Sequence, residues 1–144
     1  MPYPTSRPDL SVVLPFVDEN PWLIEAVVSL EAAAAGLQWE LLLVDDRVSS
    51  SGTIPHLRRL TAHWPPGRLQ VLRGNGGGVS AARNLGVASS NAPLLAFLDA
   101  DDRPLPERLT APLAALTADP GLSHVHGGWW RVDSSGAPLA CVQP

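Results

Sequence analysis

The chain contains no lysine; all ten of its basic residues are arginine, a compositional bias from which no function follows. Fourteen acids leave a formal net charge of −4, so the basic signature of a nucleic-acid-binding surface is missing. A single cysteine, Cys141, excludes an internal disulfide and a cysteine zinc cluster. No apolar run approaches the roughly 18 residues that cross a bilayer. The start, Met1 to Asp9, is polar and proline-rich, unlike a signal peptide, which sets a cytoplasmic expectation. What is present is a 144-residue chain with 45% hydrophobic residues, long enough for one domain, residues 1–144, with a real core. It shows no internal repeat.

One stretch stands out. Leu94-Leu95-Ala96-Phe97-Leu98 is a short apolar run of the kind buried on both faces in the middle of a parallel sheet. It ends in Asp99, Asp101 and Asp102, three carboxylates within four positions. Such neighbours repel by roughly 1 kcal/mol per pair at 4 Å in water, and several-fold more near a protein surface. A bound cation relieves that repulsion, and oxygen-only ligands suit Mg²⁺ or Mn²⁺. The plainer alternative is a solvated acidic turn.

The rest of the chain alternates strand and helix. Leu10 to Pro15 reads as a strand stopped by its proline. Asn20-Pro21 opens a helix carrying Leu23, Val27, Leu30 and Ala34 on one face and stopping at Gly36. Glu40 to Val44 is a second strand, ending in Asp45-Asp46. A helix over Thr53 to Trp64 and a strand over Leu69 to Leu72 follow, then the loop Gly74-Asn75-Gly76-Gly77-Gly78 and a helix over Val79 to Ala88. Beyond the acidic cluster, Pro104 and Pro106 start a helix through Leu113 and Leu116. Ser123 to Val132 reads as extended, with a turn at Asp133 to Gly136. This order implies an α/β fold with a mostly parallel central sheet flanked by helices, whose ligands bind beyond the carboxyl ends of the strands. The acids and the glycine loop all fall at those ends.

Four motifs in this order and spacing, Ser11-Val12-Val13-Leu14-Pro15, Glu40 to Asp46, Gly77 to Gly86 and Phe97 to Asp102, resemble the family 2 glycosyltransferases of GT-A fold. The resemblance covers about Leu10 to Gly128. It implies a Rossmann-like domain that transfers a sugar, with inversion, from a nucleoside-diphosphate sugar of UDP type, assisted by Mn²⁺ or Mg²⁺. The acceptor, whether glycan, lipid or small molecule, stays open. By the resemblance, Asp46 with Asp45 takes a hydrogen bond from the base, and Pro15, Phe16 and Val17 wall it. Asp99, Ala100 and Asp101 lie at the ribose and diphosphate, and Asp101 and Asp102 hold the metal. Arg83 reaches the diphosphate or pairs with a sheet-edge aspartate; Asn84 and Gly86 serve packing. Phe16-Val17-Asp18 stands where the family usually carries Thr-Tyr-Asn, and Asp45-Asp46-Arg47-Val48 where it carries Asp-Asp-Gly-Ser. The family's catalytic base lies further along than these residues reach, so it is expected beyond Pro144, with the acceptor-binding half. The chain reads as truncated before that half.

Two further features have double readings. His124 and His126 alternate on an extended segment, as a metal pair or as plain half-exposed strand. Trp129-Trp130 would line a sugar pocket or be covered by further protein, and homo-oligomer formation is one way to cover them. Two rival functions remain: a catalytically incomplete transferase-like domain binding only nucleotide or a partner chain, and a dinucleotide-binding domain. The latter rests on Gly76-Gly77-Gly78-Val79-Ser80-Ala81, which fits G-x-G-x-x-A.

Overall fold

The computed structural model describes residues 7–17, 21–47 and 52–143. Strands β1 (Leu10–Phe16), β2 (Trp39–Asp45), β3 (Leu69–Arg73) and β4 (Leu94–Phe97) form one parallel sheet in the order β3-β2-β1-β4. Helices α1 (Leu23–Ala33) and α2 (Thr53–Leu60) join the first three strands; α3 (Val79–Ser89) carries the chain back to β4. The direction of winding therefore reverses between β1 and β4, which opens a crevice at their carboxyl ends. α4 (Thr110–Ala118) follows, then an antiparallel hairpin of β5 (Trp129–Val132) and β6 (Pro138–Val142).

The sheet is covered on both faces. Leu10, Val12, Leu14, Leu41 and Leu43 pack with Leu23, Val27 and Leu30 of α1 and Leu57 of α2. On the other face Val13, Leu42 and Val44 meet Ala82 of α3. The approach of α3 is close: a Cβ on Gly86 would fall 2.4 Å from Val13 Cγ1, so glycine is required there. Gly86 serves packing as expected, whereas Asn84 is exposed.

Several expectations need correction. Pro15 does not stop β1, which runs on to Phe16. Val13 accepts from the Leu98 amide, so Val13 and, two residues on, Pro15 face the β4 side, where β4 has already ended and no donor is needed. The run Leu94–Leu98 is not a central strand: β4 is an edge among the described residues, with Leu95 and Phe97 exposed on the α3 side. The strands buried on both faces are β1 and β2. α2 ends at Leu60 rather than Trp64, and α4 begins at Thr110, after a turn at 106–109. Of Ser123 to Val132 only β5 is strand, and its partner β6 was not foreseen; the turn at Asp133 to Gly136 lies between them as expected. Asn20, Asp18 and Val48 lie outside the described residues.

At the amino-terminal edge one buried acid ties all four strands together. Glu40 on β2 accepts from Ser11 Oγ of β1 (2.6 Å), Gln70 Nε2 of β3 (2.7 Å), and the Asn91 amide (2.8 Å) and Nδ2 (3.2 Å) just before β4. Ser11 Oγ in turn accepts from the Ala92 amide. Removing the carboxylate would orphan several buried donors at once, each costing about 1–3 kcal/mol. Glu40→Ala is expected to lower stability by about 2–4 kcal/mol and Glu40→Gln by less, read as the shift in urea midpoint at unchanged slope.

Candidate active site

The carboxyl ends of β1, β2 and β4 and the β3–α3 loop gather the acids at one edge. Asp45 at the end of β2 and Asp46 just beyond it are buried and see almost no solvent. Asp45 Oδ2 lies 3.8 Å from Arg73 Nη1 at the end of β3. The Asp46 amide donates to Phe16 O at 3.0 Å, which fixes this residue against the end of β1.

The glycine loop wraps this second carboxylate. Gly78 N–H donates to Asp46 Oδ2 at 2.9 Å, and the Gly74 amide donates to Asp45 O at 2.8 Å. A Cβ on Gly74 would lie 2.5 Å from Asp46 Oδ1 and 2.9 Å from Asp46 Cα, so only glycine lets the loop lie this close. Asp46 Oδ1 itself is buried and has no hydrogen-bond partner among the described residues. A buried acceptor left open in this way is costly unless an incoming group donates to it. The sequence marks Gly74 only as part of a glycine-rich loop and gives no sign of its role against Asp46. The same geometry weakens the dinucleotide reading. The loop follows β3 at the sheet's edge rather than the strand beside the crevice, and its Gly78 amide is already used on Asp46.

Across the crevice, Asp99, Asp101 and Asp102 follow β4 on an exposed turn closed by the Asp102 amide on Asp99 O. Partial burial, together with the neighbouring Asp101 and Asp99, pushes the Asp102 carboxyl above its usual range, and Arg108 opposes this. Arg83 reaches over from α3 and donates through Nη2 to Asp99 Oδ1 at 2.6 Å, its guanidinium 6.0 Å from the Phe97 ring. Its Nε is buried and without a partner. Of its two expected roles, pairing with a sheet-edge aspartate is the one seen. Of the expected base wall, Pro15 and Phe16 are buried, Phe16 in the α1-side core, and only Val17 is exposed. Ala100 packs at the margin of that core.

No group of three or more His, Cys, Asp or Glu close enough to hold a metal ion occurs among the described residues. The donor set nevertheless fits a hard divalent ion: oxygen-only and anionic, with Asp102 raised first by burial and then by a repulsion that a cation would relieve. Two protein carboxylates are the usual share where substrate phosphates complete the shell. His124 and His126 are exposed and outside this edge, and Trp129 and Trp130, adjacent along β5, point to opposite faces of the hairpin, so they cannot line one pocket together. No helix among the described residues is long and apolar enough to cross a membrane.

Comparison with known proteins agrees with this arrangement. The family model described as Glycosyl transferase family 2 matches residues 11–138. The O-antigen biosynthesis protein RfbC of Myxococcus xanthus is 30% identical over 133 residues, 90% of this chain but 10% of that protein. A mannosyltransferase from Pyrobaculum calidifontis, solved in complex with GDP-Man and Mn²⁺, superposes with a TM-score of 0.68 at 25% identity, over 89% of this chain and 36% of that one. S. aureus TarS shares the fold, with a TM-score of 0.65 at 24% identity over 76% of this chain and 20% of that one. The chain thus spans only a fraction of the length of the relatives it matches.

The raised Asp102 value fixes a sign. The folded state holds that proton more tightly than the unfolded chain, so this group's contribution to stability falls as pH rises through the usual carboxylate range and the raised value above it. Without divalent metal, Asp102→Asn is expected to melt higher than the parent at neutral pH. The difference should shrink toward zero as the pH drops below that window, as followed by paired thermal melts.

Proposed function

Because the chain belongs to glycosyl transferase family 2, we propose that it is the donor-binding part of an enzyme transferring a sugar, with inversion, from a UDP-type nucleotide sugar. The observation that carries this reading is the open buried oxygen of Asp46. A uracil imide N–H is a neutral donor that needs an acceptor-only partner, and a desolvated carboxylate makes that hydrogen bond charge-assisted. Guanine carries a comparable ring N–H, so the carboxylate alone does not separate the two bases. Asp45, held near Arg73, supports Asp46 from behind, and Val17 is the exposed residue available to flank the base.

The diphosphate would then lie over the crevice between β1 and β4. Asp99, Ala100 and Asp101 would lie at the nucleotide, with Asp101 nearest the ribose, and Asp101 and Asp102 would hold Mg²⁺ or Mn²⁺. Bound there, the ion supplies Lewis-acid neutralisation of the departing diphosphate. Arg83, anchored on Asp99, adds a fixed positive charge to the same edge.

Inversion also needs a base for the acceptor hydroxyl, worth typically 10²–10⁴-fold in rate. Three of the other described acids are poorly suited. Asp133 is held below the usual carboxylate range by hydrogen bonds from the Ser135 side chain and the Ala137 and Ser135 amides, which makes it a weak base. Glu25 pairs with Arg103 and Glu31 with His63. In this reading the base is therefore none of these three acids.

Calorimetric titration of UDP and of inorganic diphosphate, each with Mn²⁺, separates the two halves of the site. Asp46→Ala is expected to weaken UDP by about tenfold or more and leave diphosphate nearly unchanged. Asp102→Asn should weaken both. Equal losses on Asp46→Ala, or UDP binding indifferent to metal, would contradict the assignment.

A further inference from the structure

The opposite end of the sheet carries a second concavity, of about 610 Å³, walled by the starts of β2 and β3, the last turn of α2 and the loop before β3. That is within the roughly 300–1,000 Å³ typical of small-molecule pockets. Gln38, Trp39, Arg58, Pro66, Arg68 and Gln70 line it. Arg68 is half-buried, with its guanidinium 4.8 Å from the centre of the Trp39 ring; Arg58 is exposed. Among the described residues neither arginine takes part in an ion pair.

Two acids near the cavity, Glu31 and Glu40, are already engaged. Glu31, whose charge reaches Arg68, bonds His63 Nε2 at 2.8 Å. Glu40 is part of the wall, but its two oxygens take four hydrogen bonds from Ser11, Gln70 and Asn91. Burial lowers the Arg68 pKa, and the charge of Glu31 opposes this. Two guanidiniums with unspent donors beside a concave, proline-walled space have the chemistry that takes oxyanions bidentately.

We propose that this basal cavity binds a small multivalent oxyanion, a phosphate ester or a polycarboxylate, held by Arg58 and Arg68. The volume leaves room for a ligand body beyond the charged group, and Gln38 supplies a neutral donor beside it. The site stands at the far end of the sheet from the acidic edge, so it does not depend on donor binding.

The test uses the whole chain in metal-free buffer at about 0.15 M salt, where exposed charges are screened beyond about 8 Å. Glycerol phosphate and citrate serve as the two probes, titrated by calorimetry and by tryptophan fluorescence. One saturable site for either probe is expected, and whichever binds more tightly assigns the class. Arg58→Gln and Arg68→Gln should each weaken it by about tenfold or more, Arg68→Lys by less, and Arg131→Gln on the hairpin not at all. Arg58 is exposed, so its variant reads the site even if Arg68→Gln perturbs folding. No saturable binding of either probe, or parent-like binding by Arg58→Gln, would overturn the proposal.

Discussion

The acidic edge depends on a single contact, the Gly78 N–H donated to Asp46 Oδ2. A buried carboxylate is expensive unless hydrogen bonds replace the water it loses. Here the loop supplies one such bond, and Gly74 lets the backbone come close enough to exclude solvent from the other oxygen. The result is a carboxylate hydrogen-bonded through one oxygen, with the other buried and without a hydrogen-bond partner among the described residues. In the proposed reading the base then lies toward β2 and the diphosphate toward the acids after β4.

The sheet has opposite characters at its two ends. At the carboxyl ends the strands finish in Asp45, Asp46 and, just past β4, Asp99, Asp101 and Asp102, whose mutual repulsion is left for a cation to relieve. At the amino ends the acid is Glu40 of β2, and it accepts from donors on β1, on β3 and just before β4. One end is therefore stable as it stands and the other is completed by what it binds. That division leaves the acidic groups at one end while the register is fixed from the opposite side.

Much of this was legible in the sequence, because its signals are local. Alternating strand and helix patterns, Asp45-Asp46 after one apolar run and Asp99 to Asp102 after another place the acids on one edge by topology alone. What was not legible depends on distance in space. Nothing local marks Glu40 as the common acceptor of residues up to 51 positions away, since in the chain it reads as one more strand residue. Gly74 reads as part of a glycine-rich loop until Asp46 is seen beside it. The run Leu94–Leu98 misled for a related reason: its composition is that of a central strand, but the described residues give it a neighbour on one side only. Phe16 likewise sits at the right place in the chain to flank a base, yet the pleat turns it into the core.

The central claim is that Asp46 Oδ1 awaits a ring N–H. The most direct measurement compares UDP with its N3-methyl analogue, which lacks that one donor, against the parent chain and Asp46→Ala in the presence of Mn²⁺. The parent is expected to prefer UDP by about tenfold or more, and the variant to bind the two alike. A parent that binds both equally, or a variant that keeps the preference, would contradict the account.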